Sequence, residues 1–248
     1  MHFPDVRRLL MLMKSGTEAM RALAYVAAAE SDRSRLAQNE ESRARHFARL
    51  ELYTPIVKGW LSEMSQELTS CGVQVHGGMG YVEETGSAQH FRDARITTIY
   101  EGTTAIQAND LVGRKTLAND GATVMALLDE IRQTAQAMSG NSRLERFGSG
   151  LSASADQAEQ ACRWVLENAR EDRYAGGSAS VNYLMLLGYL CGGWVMGLSA
   201  LKAIELLEAG DADAPFLEAK LVTAGFFFEH LLPRTGPCLA AVVAGSGN

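Results

Sequence analysis

The sequence predicts an all-α protein with two helical bundles in series. Long segments carry apolar residues at helical spacing, no run of alternating strands is present, and glycine- or proline-rich stretches stand between the helical segments. The 248 residues are 47% hydrophobic, which is enough to bury one good core or two small ones. We expect the first bundle to span residues 1–120 and a helical extension to span residues 121–248.

Two long amphipathic helices open the first bundle. One begins at Pro4, a residue typical of a first helical turn, and ends near Ser31. The polar run 31–44 is then a connection or a frayed helix end. A second helix follows over about 45–70, in which Pro55 predicts a kink or a break.

The next segment is less regular. Residues 73–80 alternate apolar and polar positions and then hold three glycines, so no regular structure is expected there. Residues 85–94 predict a short helix, and the β-branched run 96–100 predicts an extended stretch. A third long helix is expected to begin near Thr103, with the hydroxyl of Thr103 or of Thr104 as its cap.

The extension is predicted to contain four more helices after a boundary at residues 119–121. Residues 139–150 link the first two of these helices, and 210–214 separate the last two. Pro233, Gly236 and Pro237 are expected to end the last helix. The helices are placed at about 122–138, 152–174, 179–208 and 215–230, with a loose tail over 241–248.

One helix is apolar enough to need a membrane test. Residues 178–201 carry no formal charge, and their length and hydrophobicity would permit a span. However, four glycines interrupt the segment, and it runs directly into the amphipathic sequence KAIELLE. The mean hydropathy of the chain is −0.06. We therefore predict a buried core helix and no transmembrane span, with a membrane-inserted helix as the alternative.

Charge and cysteine usage argue against several classes of function. The net charge of −6, with acidic and basic residues mixed, is unsuited to a nucleic-acid surface. The four cysteines stand far apart without a CxxC pair or metal-ligand spacing, which favours free buried thiols in a reducing compartment and a cytoplasmic protein. The N-terminus has charges within its apolar run and does not resemble a signal peptide.

Glu101 is the strongest candidate for chemistry. It stands on the turn ahead of the third long helix, where an acidic residue is common for electrostatic reasons alone. A carboxylate on a constrained turn lined by apolar and aromatic residues is also suited to be a general base, because desolvation raises its pKa. Both interpretations stay open from the residues alone.

The other polar clusters have simpler interpretations. The glycines at 77–80 do not form GxGxxG and follow no clear strand, so a tight loop is expected. His76 and His90 lack a partner at metal-ligand spacing and are expected to be structural or surface residues; no metal site is predicted. The charged residues around them are expected to be exposed or locally paired: Glu83, Glu84, Arg92, Asp93 and Arg95.

Three motifs in the segment 73–115 resemble, in this order, the C-terminal domain of the acyl-CoA dehydrogenase family: QVHGGMGY, FRDARI and IYEGTTAIQ. The resemblance covers about 5–115, and residues from 122 onward resemble the helical extension of a longer branch. It implies α,β-dehydrogenation of fatty acyl-CoA thioesters, as in fatty acid β-oxidation, with FAD as cofactor. It also implies an electron-transfer flavoprotein as acceptor and a homodimer.

The resemblance assigns a role to the turn that precedes the third long helix. In the family, a glutamate removes the α-proton of the thioester while the β-hydrogen leaves as hydride to the flavin. Glu101 matches this base, and its main-chain N–H matches one of two donors that polarise the thioester carbonyl. Tyr100 and Gly102 match the substrate side of the same turn.

The resemblance also implies contacts to FAD. Gln74, Gly77 and Gly78 match the segment that contacts the adenosine-diphosphate part of FAD in the neighbouring subunit, and Thr103 matches a flavin contact at a helix start. The sequence departs from many relatives at Ala105, where a glutamine often contacts FAD.

The family's N-terminal helical domain, middle β-domain and first C-terminal helix have no counterpart in the sequence. We therefore expect the chain to hold only part of the site, to begin at an internal position of a longer protein, and to be inactive alone. The alternative is a non-catalytic helical oligomerisation module, favoured by the apolar faces at 183–207 and 216–232.

Overall fold

The computed structural model describes residues 3–210 and 213–245, and within these ranges it contains helices and turns but no strand. This confirms the all-α prediction. The α-helices are α1 (Pro4–Leu36), α2 (Glu40–Val75), α3 (Gly78–Tyr81), α4 (Ser87–Thr97), α5 (Thr104–Asp110), α6 (Ala122–Ser139), α7 (Glu145–Asn168), α8 (Arg173–Ala209), α9 (Ala214–His230) and α10 (Thr235–Ala244).

Helices α1 and α2 form a hairpin with a connection of three residues. Both helices are longer than predicted, because the polar run after Ser31 is helical almost throughout. The Asn39 side chain accepts a hydrogen bond from the Ser42 N–H at 2.8 Å and so starts α2. This helix passes through Pro55 without a break, and the Thr54 hydroxyl donates to the Leu50 carbonyl at 2.8 Å.

The glycine-rich segment is more regular than predicted. Helix α2 continues to Val75, and the residues Gly78–Tyr81 form the short helix α3. A Cβ on Gly80 would lie 2.2 Å from the Val73 carbonyl oxygen. The glycine here allows α3 to pack against the end of α2, instead of breaking the structure.

The predicted extended stretch 96–100 was also wrong. Helix α4 runs to Thr97, and the N–H groups of Ile99 and Tyr100 both donate to the Ile96 carbonyl, at 3.0 and 3.1 Å. These turn hydrogen bonds outweigh the preference of β-branched residues for extended backbone. They fold the chain back towards α5.

Of the two predicted cap residues, Thr103 caps α5. Its hydroxyl accepts a hydrogen bond from the Ile106 N–H at 3.4 Å. The helical run then continues as a π-helical segment, Leu111–Thr116, and a 3₁₀ turn, Leu117–Asn119. The Thr116 hydroxyl donates to the Leu111 carbonyl at 2.9 Å across this wider turn.

The extension departs from the prediction at its helix ends. Helix α7 begins at Glu145, and α8 begins at Arg173, where the Asp172 side chain accepts a hydrogen bond from the Tyr174 N–H at 2.8 Å. The predicted loose tail is wrong up to residue 244, because α10 forms there and tolerates Pro237 in its first turn. Residues 246–248 of that tail lie outside the described residues.

Helix α8 runs through the centre of the molecule. It is long and apolar enough to cross a membrane, but 78% of its most apolar window is buried inside the protein. This supports the predicted core helix. Its buried side chains join one hydrophobic core that contains residues of both proposed regions, so the division into 1–120 and 121–248 stays a prediction.

The four cysteines are free. Cys71, Cys162 and Cys191 are buried, as predicted, and Cys238 is half-buried.

Candidate active site

The turn between α4 and α5 presents Glu101 in an uncommon backbone conformation. Glu101 has φ +56° and the following Gly102 has φ +86°. The left-handed region costs a residue with a side chain about 1–2 kcal/mol, whereas glycine enters it freely. Such strain persists only where neighbouring contacts impose it, and it is concentrated at functional sites.

Two side chains hold the carbonyls of this turn. The Gln107 amide donates to the Glu101 carbonyl at 3.1 Å, and the Lys58 ammonium of α2 donates to the Gly102 carbonyl at 2.5 Å. Lys58 lies 44 positions from Gly102 in the sequence. Gln107 belongs to the motif IYEGTTAIQ, but the contact of Lys58 was missed, since no local motif links a lysine in mid-helix to a distant turn.

A second pair of contacts anchors the start of α5. The Thr104 N–H donates to the Thr98 carbonyl at 3.2 Å, and the Thr104 hydroxyl donates to the Glu63 carboxylate of α2 at 2.5 Å. Thr104 and Thr98 are buried. The turn that carries Glu101 is therefore fastened to one face of α2 as well as closed on itself.

Glu101 stands at the edge of an open groove of about 490 Å³ between this turn and α2. Its side chain and that of Tyr100 are exposed. The predicted desolvation of this carboxylate therefore needs a cover that the described residues do not supply. The other groove-lining residues are Val57, Lys58, Leu61, Ser62, Ser65 and Thr97.

Several large apolar side chains close to Glu101 in the sequence are exposed. Ile96, Ile99, Tyr100 and Ile106 each expose about half of their surface, between 48% and 58%. Exposed apolar side chains that form a patch mark an interaction surface. The surroundings of Glu101 are suited to contact a further apolar group or domain.

The second predicted part of the site is the glycine turn after α2. Gln74, Gly77 and Gly78 are all exposed. Gly77 has φ +60°, and a Cβ on Gly77 or Gly78 would meet nothing within 4 Å. The Gly77 N–H donates to the Gln74 carbonyl at 3.0 Å, so the turn is held while its outer main chain stays open. Open main chain of this kind fits a cofactor whose polar groups contact backbone atoms.

The two parts lie at different places on the same helix. Lys58 contacts the Glu101 turn, and Gln74 lies near the C-terminal end of α2. Lys58 and Gln74 are sixteen positions apart, which corresponds to a rise of about 24 Å along the helix axis. The structure thus brings Tyr100, Glu101, Gly102 and Thr103 together at one place and the glycine turn at another.

The histidines and charged residues to which the sequence assigned no catalytic role lie on the surface. His76 and His90 are exposed, and the His76 ring hydrogen-bonds the Gly72 carbonyl at 2.8 Å. Arg92 pairs with Glu83 at 2.7 Å. The interpretation of these residues as exposed or locally paired is confirmed.

Two family models together match nearly the whole sequence. The first, described as "Acyl-CoA dehydrogenase, C-terminal domain", matches residues 1–116, and the second, "Acetyl-CoA dehydrogenase C-terminal like", matches residues 127–248. The boundary between them falls close to the predicted boundary between bundle and extension.

Several curated proteins are similar to this chain. A 3-methylmercaptopropionyl-CoA dehydrogenase of Ruegeria pomeroyi is 44% identical over 92% of this chain, and the match covers 39% of that protein. The broad-specificity linear acyl-CoA dehydrogenase FadE5 of Mycobacterium tuberculosis is 32% identical over 94% of this chain and 39% of its own length. A subunit of the caffeyl-CoA reductase-Etf complex of Acetobacterium woodii is 33% identical over 42% of this chain and 24% of its own length.

Solved structures share the fold at low sequence identity. An acyl-CoA dehydrogenase of Bacillus anthracis, complexed with FAD, matches 100% of this chain and 43% of its own with a TM-score of 0.74 at 18% identity. ACDH-11 of Caenorhabditis elegans, in complex with C11-CoA, gives a TM-score of 0.75 over 93% of this chain and 37% of its own, also at 18% identity. The chain belongs to the acyl-CoA dehydrogenase family, whose C-terminal helical domains it carries.

Proposed function

We propose that this chain is the C-terminal part of an FAD-dependent enzyme that catalyses α,β-dehydrogenation of acyl-CoA thioesters, as in fatty acid β-oxidation. The observation that carries the proposal is the position of Glu101 in the motif YEGT. Its backbone is held at φ +56°, and its carboxylate lies at the edge of an open groove. The chain spans 39% of the length of the curated relatives from Ruegeria pomeroyi and Mycobacterium tuberculosis, and the groove beside Glu101 is open. Alone, it is expected to be inactive.

In the proposed reaction, the Glu101 carboxylate removes the α-proton of the thioester. A base acts only within hydrogen-bond reach of the proton it takes, so the rigid turn serves to hold the carboxylate in place. The main-chain N–H of Glu101 polarises the thioester carbonyl, which makes the α-proton more acidic. Tyr100 and Gly102 face the acyl part of the substrate. A bound FAD would supply the acceptor for the hydride that leaves the β-carbon.

The glycine turn and the helix cap are the parts of this chain proposed to contact FAD. The open main chain at Gly77 and Gly78 has room for a pyrophosphate to approach, and Gln74 supplies an exposed amide beside it. Thr103, at the start of α5, contacts the flavin end. We propose that the cofactor is shared between subunits of a homodimer, as the family resemblance implies. We further propose an electron-transfer flavoprotein as acceptor, because one relative belongs to a complex named for Etf.

The substrate class is proposed from the relatives. One of them is named for 3-methylmercaptopropionyl-CoA and another for linear acyl-CoAs of broad range. A substrate panel should therefore contain 3-methylmercaptopropionyl-CoA beside linear acyl-CoAs of increasing length. The cytoplasm stays the proposed compartment.

The decisive experiment replaces Glu101 in the whole enzyme that contains this chain. Glu101→Gln keeps the size of the side chain and removes the base, so the turnover number should fall on the order of 10²–10⁴-fold with flavin content unchanged. The rate of dehydrogenation is measured from the reduction of an artificial electron acceptor. Near-wild-type activity of this variant would exclude Glu101 as the base.

The competing function is a helical oligomerisation module without chemistry. Large apolar side chains of α9 are exposed, with Phe216 at 59% and Val222 at 65%. Sedimentation of the 248-residue chain separates the two functions when combined with flavin absorbance of the whole enzyme. An oligomeric chain whose whole protein is colourless and inactive would favour the module.

A further inference from the structure

The strained turn at Glu101 persists only if contacts from outside the turn stabilise it, and one such contact comes from Lys58 in the middle of α2. Glu101 has a left-handed backbone, and the carbonyl of the next residue, Gly102, receives the ammonium of Lys58 at 2.5 Å. On the basis of the proposed function, we propose that Lys58 is a positioning residue for Glu101. Lys58 fixes the peptide beside the base, and the base then meets the α-proton at a constant position.

The use of this lysine differs from that of the other lysines in the chain. The other four pair with carboxylates, whereas Lys58 donates to a main-chain carbonyl. A hydrogen bond from a charged donor is about twice as strong as a neutral one. The half-buried Lys58 therefore stabilises the backbone of the strained turn through a strong, charge-assisted hydrogen bond. The ordinary pairs are Lys14 and Lys220 with Glu18, Lys115 with Glu51, and Lys202 with Glu205.

Lys58 is itself held in place by the extension. The next residue, Gly59, lies so close to α8 that a Cβ on it would come within 2.7 Å of Leu184 Cδ1. The residue after it, Trp60, is fully buried against the backbone of Gly188. The helical turn that carries Lys58 is therefore packed tightly against α8 through Gly59 and Trp60. This gives the extension a part in placing the catalytic carboxylate.

The chemical consequence concerns the proton-transfer step. Without Lys58, the Gly102 peptide is free to rotate and the strained Glu101 backbone can relax. A displacement of about 1 Å in a reacting group can cost on the order of 100-fold in rate. The glycine turn lies at the end of α2 and should keep its contacts to FAD, so flavin binding should change much less than the turnover number.

The test compares Lys58→Met and Lys58→Arg in the whole enzyme. Lys58→Met removes the donor at similar length and should lower the turnover number about 10- to 100-fold, with KM changed less than about threefold. The kinetic isotope effect with α-deuterated substrate should rise, because proton abstraction limits the rate more strongly. Lys58→Arg restores a charged donor and should recover most of the activity. Lys202→Met, at an exposed pair, is the matched control and should behave as wild type.

Other results would overturn the proposal. A wild-type turnover number and isotope effect in Lys58→Met would do so, as would equal loss of flavin and thermal stability in both Lys58 variants. If Lys58→Met does not fold, Lys58→Gln is measured in the same way. Its shorter, neutral side chain removes the charged donor, so its turnover number should lie between that of wild type and that expected for Lys58→Met. Glu101→Gln separates the two proposals: if it is inactive while Lys58→Met is wild type, only the role of Lys58 fails. If Glu101→Gln is active, the proposed function fails.

Discussion

The indole ring of Trp60 lies directly against the backbone of Gly188. A Cβ placed on Gly188 would come within 2.2 Å of the Trp60 Cγ, and one on Gly192 would come within 2.7 Å of the far edge of the same ring. Trp60 belongs to α2 and the glycines to α8. The two regions matched by separate family models are therefore interlocked by a tryptophan in a groove that glycines keep open.

Gly188→Ala should destabilise the chain strongly. The added methyl group meets a fully buried ring that has no free space to move into, and overpacking of this kind costs about 3 kcal/mol. Urea unfolding measures the loss through the midpoint concentration. The control in the same helix is Gly177→Ala, where a Cβ meets nothing within 4 Å. That variant should gain about 0.5–1 kcal/mol, because alanine is the better helix former. Equal midpoints for the two variants would contradict the packing.

The sequence predicted the long helices because apolar periodicity extends over many residues. It failed where a few local contacts decide the outcome. The extended stretch expected at 96–100 is folded by two hydrogen bonds to the Ile96 carbonyl, and α10 forms despite Pro233, Gly236 and Pro237. The early start of α2 had a signal in Asn39, which is followed by two glutamates, as is typical of a capped first turn.

Glu101→Gly should yield a more stable chain than Glu101→Ala. Alanine keeps the strain of φ +56°, whereas glycine removes it, so the expected difference is about 1 kcal/mol. Thermal or urea unfolding of the 248-residue chain measures it. Tyr100 is outside the left-handed region, so the order should be reversed there. Tyr100→Gly should have a free energy of unfolding about 0.5–1 kcal/mol lower than Tyr100→Ala. Glycine below alanine at both positions would show that Glu101 is not strained.

The candidate site was predictable only in part. YEGT and QVHGG are contiguous motifs, so Glu101 and the glycine turn could be found from the sequence. The hydrogen bond between Lys58 and the Gly102 carbonyl joins residues 44 positions apart, and a lysine in mid-helix carries no local sign of such a partner. The groove is open and Glu101 is exposed, so the surroundings that would desolvate Glu101 could not be predicted from these residues.

Replacement by alanine should lower the stability of the chain at Gly80 but not at Gly78. Gly80→Ala places a Cβ within 2.2 Å of the Val73 carbonyl oxygen and should destabilise α3 and the end of α2. Gly78→Ala meets nothing within 4 Å and should leave the free energy of unfolding within about 0.5 kcal/mol of wild type. In the whole enzyme, however, its methyl group should obstruct FAD and weaken cofactor affinity by roughly tenfold, equivalent to about 1.4 kcal/mol.

The ratio of flavin to protein after dialysis measures that affinity. Gly150→Ala is the control, because its Cβ also meets nothing within 4 Å and it lies in α7, away from the glycine turn. Full flavin retention in Gly78→Ala would exclude the proposed approach of the cofactor to this main chain.

Glu18 should make the stability of the chain depend on pH. Burial alone would raise the pKa of Glu18, but hydrogen bonds from Lys14 at 2.7 Å and Lys220 at 2.6 Å outweigh it and lower that pKa. A lowered folded-state pKa contributes stability above the unfolded value near 4.3, and that contribution is lost as pH falls through the folded value. Glu18→Gln should therefore lower the free energy of unfolding by about 1 kcal/mol at pH 7 and leave it unchanged once the wild-type carboxyl is protonated.

Unfolding midpoints of wild type and Glu18→Gln between pH 7 and pH 3 measure this loss of stability. Glu205→Gln, at an exposed pair, should change stability by about 0.3 kcal/mol or less at every pH. A cost in Glu18→Gln that stays constant down to pH 3 would contradict the role of Glu18 as an ionic link between α1 and α9.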